Sequence, residues 1–488
     1  MLNINNNASR IKREILVRIA KLQLEGKLVE GVQNIAKELA PAGANPFHCC
    51  VYHDREIIMH RVIARLGCGL EDYDDEKGLA QYAQEAMNRE KPTSPMLTVL
   101  DLACNACVRS HYMVTNGCQA CLARPCLVNC GKKAIEIKDG RALIDSEKCV
   151  SCGLCQQNCP YHAIIKIPVP CEEACPVGAV AKNENGRESI DYEKCIFCGN
   201  CMRECPFGAM MDKSQLVDVI KHIMNKKNVV AMYAPAAAAQ FRVEPGQLEG
   251  ALLAAGFSNV IEVALGADIT ADKEAEEFVE RMEKGEKMMT TSCCPAFVRA
   301  VHLHAPELAG CVSSTRTPMH YTAEIAKKKF PDCITVFIGP CLAKRREGMD
   351  DDLVDYVISI EEAGALFIAK EIDVAKAASA PGDKLPTASA RDFAKSGGVA
   401  TSVKVRLKDT SILKETAIDG LDKAGMKRLI ELGKINAGKL PAAADTPNLI
   451  EVMACQGGCI AGPSVVTNPK VALTLLAKYS GLGAQDHK

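Results

Sequence analysis

Sixteen of the chain's 26 cysteines fall between Cys104 and Cys205; three precede that block and seven follow it. No other feature constrains the fold as tightly. The N-terminus, MLNINNNASRIKREILVRIAKL, carries charges inside its apolar pattern, so it reads as neither signal peptide nor membrane anchor. A soluble, cytoplasmic chain keeps its thiols reduced, which excludes a disulfide framework and points to metal.

The spacing names the metal chemistry. CVSCGLCQQNCP (Cys149, Cys152, Cys155, Cys159) recurs as CIFCGNCMRECP (Cys195, Cys198, Cys201, Cys205). This C-x2-C-x2-C-x3-C-P form is that of bacterial ferredoxins: three close thiolates wrap one face of a cubane cluster, and the fourth reaches the other cluster of a pair. CQACLARPCLVNC supplies Cys118, Cys121, Cys126 and Cys130, while CNAC and CEEACP supply Cys104, Cys107, Cys171 and Cys175. The sixteen thus make four sets, read as two duplicated modules interleaved in sequence. The exchange rule predicts Cys118, Cys121 and Cys126 with Cys159, and Cys149, Cys152 and Cys155 with Cys130. It likewise predicts Cys195, Cys198 and Cys201 with Cys175, and Cys104, Cys107 and Cys171 with Cys205. An unliganded or zinc-bound Cys104 and Cys107 would leave three clusters.

Three regions are expected: a small helical N-terminal domain over 1–90, ferredoxin-like 4Fe-4S modules of α+β type over 98–212, and an α/β domain over 213–488. Ile11, Ile15, Ile19 and Leu22 have helical spacing. His48, Cys49, Cys50, His53 and Cys68 are either a metal site of no standard spacing or packed side chains. NREKPTSPML reads as a linker. From about residue 213, the apolar runs NVVAMYAP, VIEVALG, KMMTTSCC, CITVFIGPC, DYVIS and LIEVMAC alternate with helix-like segments. Cysteines follow three of these strands, where sites of α/β sheets form.

Those loops are TSCCPAFV with Cys293 and Cys294, IGPCLAKRRE with Cys341, Lys344 and Glu347, and EVMACQGGCIAGP with Cys455 and Cys459. On one face they would supply four thiolates and a spare, with Lys344 a donor to an anion. Taken singly, Cys293 and Cys294 are equally compatible with inert packing, Lys344 and Glu347 with a solvated ion pair, and Met453 with the core. With 59 basic and 60 acidic residues, nothing argues for nucleic acid or a membrane surface as partner.

Over roughly residues 100–470 these loops and the ferredoxin-rich half resemble the [FeFe]-hydrogenases, most closely the divergent group B branch. The resemblance implies an α/β catalytic domain of two lobes around the H-cluster, a cubane joined through cysteine to a two-iron unit carrying CO, cyanide and azadithiolate. It implies that Cys294, Cys341, Cys455 and Cys459 hold the cubane, Cys459 bridging to the two-iron unit. Cys293 would be the proton donor and acceptor, Lys344 would bond an iron-bound cyanide, and Ala234, Pro235, Met453 and Glu347 would complete the surroundings. Glu274, Glu277 and Arg281, at i, i+3 and i+7, with Ser313 or Ser314, match the family's proton relay; an ordinary charged helix surface has the same pattern. Gly339, Phe297, Met319 and the short glycine run in GCIAGPS depart from the commoner form, which bears on rate and bias.

The implied reaction is 2H+ + 2e- to H2, reversible, in an anaerobic setting, with a ferredoxin or similar electron carrier and hydrogenase maturation proteins as partners. An iron-sulfur assembly factor or an H2 sensor of the same fold are the competing readings.

Overall fold

The computed structural model describes residues 6–486 except 72, 105, 106, 108, 109 and 444, so Asn105 and Ala106 of the CNAC segment lie outside the described residues. The first helix, Asn7–Leu24, is capped by the Asn6 side chain, which accepts from the Ser9 N–H at 2.9 Å. Its Ile15 and Ile19 pack with Val62, Ile63 and Tyr82 of the helices Val51–Arg65 and Leu79–Asn88. Leu16 and Ala20, on another stripe, enter a core shared with the α/β half, and Arg13 pairs with Glu361 there at 2.8 Å. One helix therefore belongs to two cores. The segment after Asn88 is tied down rather than free: Arg89 Nε donates to Asp218 at 2.9 Å, and the Glu90 carbonyl accepts from Tyr356 at 3.1 Å.

Among the described residues the cysteine-rich part holds four antiparallel strand pairs. Leu97–Val99 pairs with Met210–Asp212, and Val180–Lys182 with Glu188–Ile190. Between them in sequence, His111–Val114 pairs with Ile164–Ile167, and Ile135–Lys138 with Arg141–Ile144. One ferredoxin-like module is thus inserted whole into another. Strands follow the fourth cysteines at KKAIEI, YHAIIKI and VGAVAK.

The remainder holds two parallel sheets. One runs Asn259–Glu262, Val229–Tyr233, Ile334–Gly339, Tyr356–Ser359; the other runs Met289–Thr290, Leu449–Met453, Glu415–Asp419. Every apolar run read as a strand is one. Glu415–Asp419 was not anticipated, because it is a polar edge strand whose side chains are at best half-buried. The three parts meet at a buried charge network. Asp212 accepts from Arg65 at 2.8 Å and lies 3.2 Å from Arg345, which also pairs with Glu362.

Candidate functional site

The C-terminal ends of both sheets open onto one cavity. Met289–Thr290 leads to Cys293 and Cys294, Ile334–Gly339 to Cys341, and Leu449–Met453 to Cys455 and Cys459; all five cysteines line it, with Lys344, Ala234, Pro235 and Met453. Gly458 and Gly462 let the last loop fold this closely. A Cβ at Gly458, where φ is +86°, would lie 2.6 Å from Ser396 N, and one at Gly462 would lie 2.8 Å from the Pro340 carbonyl oxygen.

Among the described residues no three His, Cys, Asp or Glu side chains converge closely enough for a single metal ion. Five thiols around one cavity suit a polynuclear cluster instead, whose sulfur-bound irons thiolates hold well. Burial pushes the Cys341 thiol up to about 11, with Cys294 contributing, and Cys455 is raised by burial and by Cys341, Cys294 and Cys459. Those four thiols share one electrostatic environment. Cys293 is raised by burial and by Glu274 and Glu451, so it stands as a protonated thiol.

Lys344 is buried, and its ammonium donates to Glu347 at 2.7 Å. Burial lowers its pKa, but Glu347, Cys341 and Cys293 together outweigh that and raise it. The pair is therefore not solvated. Glu347 stands behind Lys344, also accepts from the Thr317 hydroxyl, and lines a neighbouring crevice rather than the cavity itself.

The charged face of helix Ala264–Glu283 turns inward. Glu274 is fully buried, its Oε1 accepting from the Ser292 N–H at 2.9 Å, and burial pushes it up to about 7. Glu277 accepts from Ser313 Oγ at 2.6 Å and from Arg281 Nη2 at 2.7 Å. Burial raises its pKa, but these donors and the Ser314 N–H override that and lower it. Arg281, Glu277 and Ser313 form one hydrogen-bonded row. Ser314 takes part only through its backbone. Glu451, absent from the sequence expectations, is, like Glu274, a fully buried carboxyl: it accepts from Gly397 N and Ala400 N at 2.8 Å each and is pushed up to about 7 by burial. A glutamate inside the apolar run LIEVMAC was its signal.

Cys198 also lines the cavity, so the cysteine-rich part touches it directly. The structure brings several of these sixteen cysteines near one another. Cys130, Cys149, Cys152 and Cys155 surround one opening. Cys126 is raised by burial with Cys121 and Cys159 contributing, Cys201 by burial with Cys198, Cys195, Cys175 and Cys171, and Cys171 by burial, Glu188, Cys205, Cys104 and Cys107. Cys118 lies in the same core as Cys126 and Cys159. At the helical end nothing comparable forms: His48 is bonded to Asp54 at 2.5 Å, Cys49 is exposed, and Cys68 packs in the helical core.

The model of the family "Iron only hydrogenase large subunit, C-terminal domain" matches residues 227–463, and that of the "4Fe-4S binding domain" matches 142–165 and 188–211. The chain is 30% identical to the large subunit of a periplasmic iron hydrogenase of Nitratidesulfovibrio vulgaris over 399 residues, 70% of this chain and 90% of that one. It is 27% identical to iron hydrogenase 1 of Clostridium pasteurianum over 319 residues, spanning 54% of each chain, so it covers only about half of that relative. Fold comparison with the apo [FeFe]-hydrogenase of Chlamydomonas reinhardtii gives 20% identity over 53% of this chain and 88% of that one, with a TM-score of 0.41. No described helix is long and apolar enough to cross a membrane. The match across nine-tenths of the Nitratidesulfovibrio subunit, together with the cavity it encloses, makes the chain a member of the iron-only hydrogenase family, an H-cluster protein with accessory 4Fe-4S clusters in ferredoxin-type modules.

Proposed function

We propose that the chain catalyses 2H+ + 2e- to H2 reversibly, with electrons passing through the accessory clusters to or from a ferredoxin-like carrier. The observation that carries this reading is the single cavity lined by all five loop cysteines and Lys344, with Cys198 of the ferredoxin part at its wall. When bound, the H-cluster supplies the hydrogen-activating redox chemistry; the protein supplies position, charge and protons.

In this reading Cys294, Cys341, Cys455 and Cys459 are its ligands, and Ala234, Pro235 and Met453 form its wall. Lys344, held charged by Glu347, offers a donor to an anionic ligand. A thiolate bound to metal has no proton to give, whereas Cys293, free and protonated, has one. Glu274 receives or returns that proton at its carboxyl, and Ser313, Glu277 and Arg281 continue toward solvent. The division at 1–90, 98–212 and 213–488 corresponds to helical, electron-relay and catalytic parts, in a cytoplasmic protein loaded by maturation proteins.

The test is protein loaded with the two-iron cofactor and given reduced viologen. Infrared bands of iron-bound CO and cyanide with hydrogen evolution are expected. Bands with negligible turnover would favour an H2 sensor, and absence of both would favour an assembly factor.

A further inference from the structure

Each of the four ferredoxin turns repeats one geometry. The fourth cysteine accepts a backbone N–H from the alanine four residues on: Ala134 to Cys130 at 3.3 Å, Ala163 to Cys159 at 3.4 Å, Ala179 to Cys175 at 3.1 Å and Ala209 to Cys205 at 3.3 Å. The residue before each alanine, Lys133, His162, Gly178 or Gly208, has positive φ. Of the two glycine turns only the last is crowded. A Cβ at Gly208 would lie 3.1 Å from Arg61 Nη1 and 3.6 Å from Lys12 Cε, whereas nothing stands within 4 Å of Gly178. Arg61 reaches there from helix Val51–Arg65 and donates Nη2 to the Phe207 carbonyl at 2.8 Å; its buried Nη1 has no hydrogen-bond partner. Arg61 forms no ion pair among the described residues, while on the far side Lys182 and Glu188 neutralise each other at 2.8 Å.

We propose that the N-terminal helical region sets the reduction potential of one accessory cluster, the one that includes Cys205, by burying the Arg61 guanidinium against the turn that follows that ligand. A cluster gains negative charge on reduction, so an uncompensated buried cation favours its reduced form and raises its potential. The Cys195, Cys198 and Cys201 set has a guanidinium of its own, Arg299, whose Nε donates to the Cys195 carbonyl at 2.6 Å, whereas the turn cations of the inserted module, Lys132 and Lys133, are exposed, so the two clusters of that module serve as internal references. This rests on Cys104, Cys107, Cys171 and Cys205 forming one ligand set.

The experiment is a potentiometric titration followed by electron paramagnetic resonance on the full reconstituted chain, comparing wild type, Arg61→Met and Arg61→Lys. Arg61→Met should move one accessory signal to more negative potential; a tenfold change in its redox equilibrium corresponds to about 59 mV for one electron. Arg61→Lys should recover most of that shift. No displacement, or an equal displacement of every accessory signal, overturns the proposal. Should Arg61→Met fail to fold, Lys12→Met decides: a smaller shift of the same sign on the same signal is expected, and none overturns it. Iron analysis of wild type separates the two levels, since a missing fourth cluster refutes the ligand set and an unmoved potential refutes only the role of Arg61.

Discussion

The backbone N–H of Ser292, the residue before Cys293, donates to Oε1 of Glu274 at 2.9 Å, and the other carboxyl oxygen, Oε2, is buried without a partner. A carboxyl held this way offers one free oxygen for a proton. Glu274→Gln should keep the CO and cyanide bands and lower hydrogen turnover by roughly 100-fold or more, the scale of a lost acid-base group. Activity assays paired with infrared spectra check it.

The same carboxyl makes stability depend on pH. Its folded pKa, about 7, lies above the ordinary carboxylate value, so its contribution is fully present below about pH 4.5 and is lost as pH rises through 7. The swing is up to about 3 kcal/mol. Glu274→Gln should flatten that part of the profile in anaerobic denaturant unfolding, gaining on wild type at pH 8 relative to pH 5.

Cys293 and Cys294 differ in what they face. Cys293→Ala should retain the H-cluster and lose most turnover, and Cys294→Ala should impair cubane assembly. The reverse pattern in iron content and infrared bands would exchange their roles.

Cys104 and Cys107 are tested by iron alone. Fully loaded wild type should hold about 22 iron atoms, and the double Cys104→Ala, Cys107→Ala variant about four fewer, with the H-cluster bands unchanged. Full iron in the variant would withdraw the fourth accessory cluster.

Asp212 bonds Arg65 at 2.8 Å and lies 3.2 Å from Arg345, all three buried. Asp212→Ala leaves two cations without that partner and should destabilise the chain by roughly 3–5 kcal/mol in chemical unfolding. Burial raises the Asp212 pKa, but Arg65, Arg345 and Lys12 more than offset it and hold it well below the usual range. The wild-type advantage should therefore persist above about pH 4 and vanish in stronger acid.

The cysteine spacing and the apolar strands were legible because each records a local demand: thiolates must wrap a cluster, and a doubly covered parallel strand must be apolar. What stayed hidden depends on partners distant in sequence. Nothing in DKEAEEFVERM says that Glu274 faces inward, since that follows from contact with Ser292. Arg61 and Arg65 read as ordinary helix charges until the strand Met210–Asp212 and the Cys205 turn are set beside them. The edge strand Glu415–Asp419 escaped because its one buried neighbour, Leu449–Met453, supplies its order.

The inserted ferredoxin-like module enters and leaves through adjacent strands, with His111 opposite Ile167. Its two ends are side by side, so the surrounding module can close across the gap whatever the insertion contains. Under the proposed electron relay, reach toward an external carrier is thereby separable from chemistry at the cavity: excising or exchanging this cassette would change how far electrons travel while leaving the surrounding module and its Cys198 contact in place.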